Sequence, residues 1–279
     1  SQRCELNDSQ EISLLHVFQY THYDFTKRST LSRVIWITGA GKGIGRELAK
    51  HYAGSGWTVA VSARTLADLQ TLALELPVRR VNVFQLDVTD TEAVKATVHK
   101  IEDELGPLDM VILNAGTHVP TNARELSLDD TRHLVETNFM GAVIGIAAAV
   151  EVFKERSRGH IAVVASLAGY RGLPGAAAYG ATKAALINFC EAMKPDLDQI
   201  GVKLTLINPG FVDTPLTAKN DFPMPFLMNA EDAALRIAKE LDKAAFEITF
   251  PSRLAILMKL LRILPDRLFF MLSRRMLRE

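Results

Sequence analysis

Between Arg33 and Asn208 the hydrophobic residues fall into short runs that alternate with longer stretches of helical periodicity. The short runs are rich in Val, Ile and Leu and lack polar alternation, which is typical of strands buried on both faces of a parallel sheet. This pattern predicts six strands, at Val34–Thr38, Thr58–Ser62, Val81–Leu86, Met110–Leu113, Ile161–Ala165 and Lys203–Ile207. A seventh strand is predicted from Phe246 onward, where the sequence reads Phe-Glu-Ile-Thr-Phe-Pro.

Stretches long enough for crossover helices separate the predicted strands. They cover Arg46–Ala53, Leu66–Glu75, Thr91–Leu105, Asp129–Lys154 and Ala178–Leu197. Ser127 followed by Asp130 provides a capping start for the fourth helix. Repeated strand, helix, strand units predict an α/β fold in which about seven mostly parallel strands form one doubly wound sheet with helices on both faces.

Three segments are predicted along the chain. Residues 1–32 are a polar extension of unknown conformation. Residues 33–250 show no internal repeat or low-complexity linker and are expected to form one domain, with a long proline-containing loop at Phe211–Asn229. Residues 251–279 form a C-terminal apolar and basic segment that is expected to be helical.

The composition fits a soluble globular protein and argues against several classes. Of the 279 residues 48% are apolar and 23% are charged, and Lys plus Arg equal Asp plus Glu at 32 each, so no basic excess points to nucleic acid. Cys4 and Cys190 are too few for a disulfide-stapled scaffold, and the N-terminus shows no secretory signal. No uninterrupted apolar run reaches the roughly 18 residues that span a bilayer. A reducing, cytoplasmic location is therefore expected.

A glycine-rich turn follows the first predicted strand and precedes the first helix. It comprises Thr38, Gly39, Ala40, Gly41, Lys42, Gly43, Ile44 and Gly45. Glycines let the backbone approach a pyrophosphate closely, and the new helix offers free amides and the positive end of its dipole. The spacing is Gly-x-x-x-Gly-x-Gly rather than Gly-x-Gly-x-x-Gly, because Ile44 stands in the third glycine position. A merely tight turn is the alternative, but the position between strand and helix favours a nucleotide site.

Far downstream, Tyr179 and Lys183 lie four residues apart in a predicted helix. Residues at this spacing share one helix face, so the ammonium group would lie one turn from the phenol. A nearby positive charge lowers the pKa of a tyrosine from its ordinary value near 10 and makes it useful for proton exchange. The pair alone is weak, since the same spacing occurs on many solvated helices.

Together the two motifs resemble the short-chain dehydrogenase/reductase family, in which Thr-Gly-x-x-x-Gly-x-Gly is followed far downstream by Tyr-x-x-x-Lys. Further matches follow in the family's order: Asp87, Asn114-Ala115-Gly116, Asn138, Ser166, and Pro209-Gly210-Phe211-Val212-Asp213-Thr214. Leu113 departs from the pattern, because many members have a second asparagine there. The resemblance covers Thr38 to Thr214 and implies a Rossmann fold, with residues 33–250 as a dinucleotide-binding and catalytic domain.

The resemblance implies hydride transfer between a nicotinamide cofactor and a carbonyl or alcohol carbon. Tyr179 would be the general acid in reduction and the base in oxidation, and Lys183 would lower its pKa and hold the nicotinamide ribose. Ser166 would bind the substrate oxygen, and Asn138 would position a relay water. Besides the glycine turn, Tyr179 and Lys183, the implied cofactor contacts are Arg64, Asp87, Val88, Asn114, Ala115, Gly116, Pro209, Gly210, Val212 and Thr214. No metal site is expected.

The expected cofactor is NADP(H). The second strand ends Val61-Ser62-Ala63-Arg64, without the acidic residue that binds the free ribose diol of NAD. The extra phosphate of NADP attracts cations, which Arg64 and Lys42 would supply. Each cation alone is explained equally well as a solvated surface charge, but the pair resembles NADP-dependent carbonyl reductases of the family.

The loop after Thr214 carries an apolar group formed by Phe222, Met224, Phe226, Leu227 and Met228. In this family the region closes over the substrate, so the group favours a lipophilic ketone or aldehyde. Packing of the loop onto the domain, or a subunit contact, explains the same residues. His118 either faces the same cavity or is solvated.

The C-terminal segment is basic. From Ser252 onward, seven basic residues stand against Asp266 and Glu279, which leaves this segment at +5 and the remainder at −5. Its density of Leu, Ile, Met and Phe suits a helix that covers the cleft or a partner subunit, which is favoured, and also an interfacial helix in peripheral contact with an anionic membrane. Gly141 and Gly145 suit a helix contact in a homo-dimer or homo-tetramer, and equally suit packing within the chain.

An NADP(H)-dependent oxidoreductase acting on a small-molecule carbonyl is therefore the favoured function. An oxidative alcohol or steroid dehydrogenase is the alternative within the enzyme class. An NADP-sensing or scaffold protein is the alternative outside it, although such proteins tend to lose the tyrosine or lysine that is intact here.

Substitution of Arg64 tests the cofactor assignment. Arg64→Asp is expected to weaken NADPH binding by roughly tenfold or more, because a charge-assisted hydrogen bond contributes about 1.5–3 kcal/mol. NADH binding, measured in the same fluorescence titration, is expected to change much less. Equal losses for both nucleotides would contradict the assignment.

Overall fold

The computed structural model describes residues 32–76, 80–219, 222–243 and 245–276. The predicted polar extension up to Leu31, including Cys4, lies outside the described residues. From Arg33 onward the chain forms one compact unit. The predicted division between residues 250 and 251 stays a prediction.

Within the described residues, seven strands form one parallel sheet in the order β3-β2-β1-β4-β5-β6-β7. The strands are β1 (Val34–Thr38), β2 (Thr58–Ser62), β3 (Val81–Val83), β4 (Leu108–Leu113), β5 (Gly159–Val164), β6 (Val202–Pro209) and β7 (Glu247–Phe250). The chain winds outward in one direction from β1 to β3 and in the other from β4 to β7. This doubly wound sheet confirms the predicted fold class.

The predicted bounds of the first three strands agree closely with the observed ones. β1 and β2 begin and end where predicted. β3 ends at Val83 rather than Leu86, yet the extended chain continues to pair with β2 beyond it. The amide of Phe84 donates to the Val61 carbonyl at 3.0 Å, and that of Leu86 to the Ala63 carbonyl at 3.1 Å. The predicted run is therefore extended throughout, although its second half is too irregular to count as strand.

Nine α-helices are described: α1 (Gly43–Gly54), α2 (Leu66–Leu74), α3 (Thr91–Leu105), α4 (Leu128–Leu134), α5 (Gly141–Glu155), α6 (Ala177–Gln199), α7 (Ala230–Leu241), α8 (Ser252–Ile263) and α9 (Asp266–Ser273). A π-helical turn at Val135–Met140 joins α4 to α5, so the two form the single long helix that was predicted. Ser127 caps its start by accepting the Asp130 amide at 3.1 Å, also as predicted.

Helix α7 was not predicted, although the sequence carries its signal. Asn229 caps the helix by accepting the Asp232 amide at 2.7 Å. The residues spaced at three and four positions along the helix are buried, namely Ala233, Ala234, Ile237, Ala238 and Leu241. The C-terminal segment was predicted as helical, and the structure divides it into α8 and α9 at Pro265, which cannot continue a helix.

The sheet separates two hydrophobic cores. Successive side chains of a strand point to opposite faces, so Val34 and Trp36 of β1 enter one core while Ile35 and Ile37 enter the other. Helices α3, α5, α6 and α8 cover the first core, and α1, α2 and α7 cover the second. Because all seven described strands are parallel, their carboxyl ends lie at the same edge of the sheet, where the loops carry the candidate site residues.

The long helix Leu128–Glu155 is apolar and long enough to cross a membrane by length and composition alone. Glu151 interrupts its apolar run, but a single charge does not exclude such a helix. Half of the apolar stretch is buried within the fold, and Ile146, Val152 and Phe153 belong to the first core. A core helix of a soluble protein meets the same criterion, so the helix carries no argument for a membrane span.

The two glycines of this helix pack within the chain. A Cβ on Gly141 would lie 2.7 Å from Val88 Cγ2, and one on Gly145 would lie 2.5 Å from Leu113 Cδ2. Both glycines therefore let α5 approach the sheet closely, which was one of the two explanations left open by the sequence. They give no support to a subunit contact, and the predicted homo-oligomer stays a prediction.

Candidate active site

Two positions of the glycine turn after β1 require glycine, because of their backbone conformation and because of the atoms packed against them. Gly39 has a φ of +66° and Gly43 a φ of +55°, in the left-handed region. A Cβ on Gly39 would lie 2.7 Å from Ala115 Cα, and one on Gly43 would lie 2.8 Å from Thr214 Cγ2. The turn therefore lies directly against the loops that follow β4 and β6, and larger residues at these positions would push the three segments apart.

Hydrogen bonds fasten the same turn to the end of β4. The Thr38 hydroxyl accepts the amides of Asn114 at 3.1 Å and Ala115 at 3.2 Å. In return, Asn114 Nδ2 donates to the carbonyls of Thr38 and Gly39, each at 3.1 Å. The side chain of Asn114 thus supports the turn from behind, in addition to lining the cleft.

The start of α1 fits a phosphate group. Its N-cap residue, Lys42, makes no side-chain hydrogen bond to the first turn, and the first amides of a helix have no partner within it. Arg46 Nη1 holds the preceding backbone by donating to the carbonyls of Gly41 at 3.1 Å and Asp68 at 3.0 Å. Because helix N-termini with glycine-rich approaches bind phosphate, the residues present fit the pyrophosphate of a dinucleotide.

Two cations and one unpredicted carboxylate lie at the rim next to this turn. Lys42 and Arg64 both line the cleft, as the sequence led us to expect. Lys42 Nζ, however, lies 3.3 Å from Asp68 Oδ2, so one of the two cations is already paired. Asp68 was missed because its role depends on a contact between α2 and the glycine turn, which no local pattern reveals.

Asp87 lies at the end of the extended chain after β3 and lines the same cleft. Burial acts to raise its pKa, but the amide and hydroxyl of Thr89 donate to its carboxylate at 3.0 and 2.8 Å and, together with the nearby Arg64, hold the pKa below its ordinary value. The carboxylate is therefore ionised and fixed in position as a hydrogen-bond acceptor.

Ser166, Tyr179 and Lys183 meet at the carboxyl end of β5. The Ser166 hydroxyl accepts the Ala168 amide at 3.1 Å, donates to the Pro209 carbonyl at 3.4 Å, and is near enough to the Tyr179 phenol to affect its pKa. Lys183 Nζ lies 5.7 Å from the centre of the Tyr179 ring and donates to the Val164 carbonyl at 2.8 Å. The i, i+4 spacing therefore places the lysine beside the tyrosine, as predicted.

Burial acts against the charged forms of both residues. Lys183 is only 4% exposed, and burial lowers its pKa to about 8. Burial raises the pKa of the Tyr179 phenol, and the neighbouring Ser166 hydroxyl acts in the opposite direction without reversing the shift. Lys183 is not among the causes of this shift, so the expectation that it lowers the pKa of Tyr179 stays a prediction. The phenol holds its proton at neutral pH.

Asn138 lies behind the cleft rather than in its wall. It is fully buried in the π-helical turn, and its side chain clamps the loop after β4 by accepting the Thr117 amide at 2.7 Å and donating to the Thr117 carbonyl at 2.9 Å. A Cβ on Gly116 would lie 3.3 Å from Asn138 Oδ1 and 3.7 Å from Lys183 Nζ. Gly116 thus allows Asn138 and Lys183 to approach the same point of the backbone.

One cleft of about 490 Å³ runs along the carboxyl ends of the strands, a size typical of small-molecule sites, which span roughly 300–1,000 Å³. Most of the predicted site residues line it: Gly39, Gly41, Lys42, Gly43, Ile44, Arg64, Asp87, Val88, Asn114, Ala115, Gly116, Ser166, Tyr179, Lys183, Pro209, Gly210, Val212 and Thr214. Gly45 and Asn138 are not in the wall, and both support it from behind.

His118 also lines the cleft. It is 7% exposed, and its ring meets the Tyr179 ring edge to face with 4.9 Å between the centroids. Of the two sequence interpretations, the cavity-facing one is therefore correct.

The predicted apolar lid does not reach the cleft. The cleft is lined by Thr214–Thr217 at the start of the loop, and by none of the described residues beyond Thr217. Phe222, Phe226 and Leu227 are 40–46% exposed, and Phe222 packs against Phe211 with 5.8 Å between ring centroids. The lid stays a prediction. The helices of the C-terminal segment likewise do not line the cleft, so the suggestion that they cover it finds no support in the described residues.

Comparison with known proteins agrees with the geometry of the site. A family model described as short chain dehydrogenase matches residues 33–223. The chain is 41% identical over 246 residues to an uncharacterized oxidoreductase of Myxococcus xanthus, with 88% of this chain and 97% of that protein covered. It is 33% identical over 242 residues to an uncharacterized oxidoreductase of Mycobacterium tuberculosis, with 84% and 94% covered.

Solved structures are similar as well. A short-chain dehydrogenase from Streptomyces avermitilis has a TM-score of 0.74 at 24% identity, with 82% of this chain and 91% of that chain covered, and shows the shared fold. An alcohol dehydrogenase from the archaeon Thermococcus sibiricus, complexed with 5-hydroxy-NADP, has a TM-score of 0.71 at 26% identity over 78% and 96% of the chains. A variant of actinorhodin polyketide ketoreductase with NADPH has a TM-score of 0.72 at 25% identity over 78% and 95%.

The buried ammonium of Lys183 predicts a pH-dependent stability difference. Its pKa is about 8 in the fold against 10.5 for the ordinary side chain, so below pH 8 the folded chain carries a desolvated charge. Lys183→Met is therefore expected to raise the free energy of unfolding at pH 7 by on the order of 1–3 kcal/mol. Between the two pKa values the unfolded parent binds more protons than the folded parent, so the parent gains stability with rising pH and the advantage of the variant shrinks.

Chemical denaturation of both proteins from pH 7 to pH 10.5 measures this difference. Lys100→Met provides the control, because Lys100 is a surface residue with 62% side-chain exposure, and the control is expected to show no such trend. A Lys183→Met variant that is less stable than the parent at every pH would contradict the prediction.

Proposed function

The chain belongs to the short-chain dehydrogenase family and is an oxidoreductase, and from this premise we propose that it reduces the carbonyl group of a lipophilic small molecule with NADPH. The observation that carries the proposal is the convergence of Ser166, Tyr179 and Lys183 at one end of a cleft whose other end is the glycine turn. A dinucleotide bound along this cleft would extend from a phosphate-binding helix N-terminus to a proton donor.

Each residue of the site has a role that its contacts support. Bound NADPH supplies the hydride. Tyr179 donates its proton to the carbonyl oxygen as the alcohol forms, and Ser166 holds that oxygen through a hydrogen bond. Lys183, held by the Val164 carbonyl, binds the nicotinamide ribose. Asn138 fixes the loop that carries Thr117 and His118, and its proposed role in positioning a relay water is an additional one.

The protonation state of Tyr179 favours reduction over oxidation. Burial raises the pKa of the phenol, so at neutral pH the side chain carries the proton that reduction requires, although the same shift makes it a weaker acid. Oxidation of an alcohol requires the phenolate, which this environment disfavours. The oxidative alcohol or steroid dehydrogenase therefore remains the second candidate, with the same residues acting in reverse at higher pH.

The choice of NADPH over NADH is supported by the cations at the rim. Arg64 is exposed beside the cleft and offers a planar fork to a phosphate. Lys42 lies on the facing turn, although its pairing with Asp68 reduces the charge that it offers. The similar alcohol dehydrogenase and polyketide ketoreductase structures contain 5-hydroxy-NADP and NADPH respectively.

The lipophilic character of the substrate is supported by the apolar residues of the loop Phe222–Met228, which do not line the cleft in this structure but follow in the chain after Thr214–Thr217, which do. Exposed Phe222, Phe226 and Leu227 gain by covering an apolar ligand, since burial of an aromatic or aliphatic side chain contributes about 1.5–3 kcal/mol. The His118 ring, packed on Tyr179, forms a further part of the cleft wall next to the proposed position of the carbonyl.

The Tyr179→Phe variant tests the mechanism. It is expected to lower kcat for NADPH-dependent carbonyl reduction by about 10²–10⁴, because it removes the proton donor. NADPH affinity is expected to change little, since the ring remains in place. The measurement is NADPH oxidation across a panel of aldehydes and ketones of graded lipophilicity.

Tyr52→Phe is the matched control, because it removes a hydroxyl from a tyrosine buried in the second core, 3.9 Å from Met110 Sδ. An unchanged rate in Tyr179→Phe would refute the mechanism. A panel in which small polar carbonyls are the better substrates would refute the lipophilic assignment and leave the mechanism intact.

The Asp68→Asn variant tests the electrostatics of the rim. Removal of the carboxylate releases Lys42 and removes a negative charge near the proposed phosphate position, so NADPH is expected to bind about two- to fivefold more tightly. The dissociation constant, measured by nucleotide fluorescence, is the readout. Asp129→Asn is the control, since Asp129 pairs with Arg132 on an exposed helix start. Weaker NADPH binding in Asp68→Asn would show that the carboxylate assists the nucleotide instead.

A further inference from the structure

Exposed apolar side chains are concentrated on the last two helices. We call them the α8–α9 face: Ile256, Leu257, Leu260 and Ile263 of α8, and Leu268, Phe270, Met271 and Leu272 of α9. Their exposure ranges from 39% to 77%. Monomeric soluble proteins rarely expose such residues together, and a contiguous apolar surface commonly marks a binding site.

The sides of α8 and α9 opposite to this face are packed against the domain, and this packing determines which side chains are exposed. Leu254, Ala255 and Met258 of α8 are 3–6% exposed and belong to the first core. Phe269 of α9 is 4% exposed. At 3.6 residues per turn, the side chains between these anchors must point away from the protein.

Polar contacts reinforce the same orientation. Lys259 Nζ donates to Glu247 Oε2 of β7 at 2.9 Å. Arg171 pairs with Asp266 at the start of α9, and its guanidinium lies 4.5 Å from the centre of the Phe269 ring. The two helices are therefore attached to the domain as a platform, with the α8–α9 face outward.

The platform is strongly basic. Residues 252–276 contain six basic side chains and one acidic side chain, Asp266, which pairs with Arg171. The arginines for which the described residues provide no ion pair are Arg253, Arg262, Arg267, Arg274 and Arg275, and all five are exposed. Apolar side chains accompanied by these arginines are complementary to a surface that carries anionic groups at its boundary with water and an apolar layer below them.

The excess of positive charge argues against a second copy of this chain as the partner that binds the α8–α9 face. In a two-fold contact the same patch meets itself, so these arginines would face one another without a carboxylate between them. Like charges brought together across an interface are unfavourable. The cofactor cleft is no better candidate, because none of the described residues beyond Thr217 lines it.

We propose that the α8–α9 face binds the surface of an anionic lipid bilayer, which makes the protein a peripheral membrane enzyme. The apolar side chains enter the boundary between headgroups and acyl chains, and the arginines contact anionic headgroups. The interaction is a property of the folded domain and needs no spanning helix. It does not depend on the proposed reaction, so its failure would leave the proposed function untouched.

Co-sedimentation of the full chain with vesicles tests the proposal. Binding is expected to vesicles that contain phosphatidylglycerol, to be much weaker with pure phosphatidylcholine, and to fall as salt rises, because salt screens the attraction over about 10 Å at 0.1 M. Equal binding to both vesicle types, or no binding to either, would overturn the proposal.

Two sets of variants assign the binding to this face. Ile256→Glu with Leu260→Glu is expected to weaken anionic vesicle binding more than tenfold, since both side chains are outward and leave the core unchanged. Arg253→Gln, Arg267→Gln and Arg275→Gln together are expected to weaken it on the order of a hundredfold, at roughly fivefold for each cation near the membrane surface.

Controls place substitutions of the same kinds elsewhere on the surface. Leu74→Glu with Leu126→Glu alters two leucines that are 86% and 60% exposed away from the face, and Arg132→Gln removes an exposed arginine. Both controls are expected to bind vesicles like the parent. Sedimentation velocity completes the test: self-association that Ile256→Glu with Leu260→Glu abolishes, in a parent that does not bind vesicles, would assign the face to a second copy and overturn the proposal.

Discussion

The site depends on how closely the chain after β1 approaches the chain after β4. A Cβ on residue 39 would lie 2.7 Å from the Ala115 backbone, so glycine is the residue that permits the contact, and the reciprocal hydrogen bonds of Thr38 and Asn114 hold it. The chain adds strands outward in opposite directions from β1 and from β4. The loops after these two neighbouring strands therefore turn to opposite faces of the sheet and leave a crevice between them. The position of the helix N-terminus, and hence of any phosphate group, follows from this single contact.

A second constraint is the burial of ionisable groups at the other end of the cleft. Lys183 and Tyr179 both carry desolvation costs, and the hydrogen bond from Lys183 to the Val164 carbonyl and the Ser166 hydroxyl near Tyr179 offset only part of them. Residues whose pKa is shifted by burial are common at active sites, where proton exchange must occur in a particular pH range. The cost to stability is consistent with a site maintained for chemistry rather than for folding.

Much of the fold follows from local patterns in the sequence. β1, β2 and α3 have their predicted bounds because apolar runs and the cap at Asp90 mark their ends locally. Helix α7 carried an equally clear signal in Asn229 and its spaced apolar residues, and was overlooked. The glycines of α5 were ambiguous, because a small residue permits close packing against any neighbour, and only the position of Val88 and Leu113 identifies which neighbour it is.

Periodicity, glycine spacing and the order of motifs are properties of the chain, and they are enough to predict the parallel α/β fold, the family, and the residues that gather along the cleft. How those residues interact depends on the folded structure. Lys42 pairs with Asp68, Asn138 holds the Thr117 backbone, and burial raises the pKa of Tyr179. The physical reason is that ion pairing and desolvation depend on distances between segments remote in sequence, and these distances exist only once the sheet has brought the strand ends together.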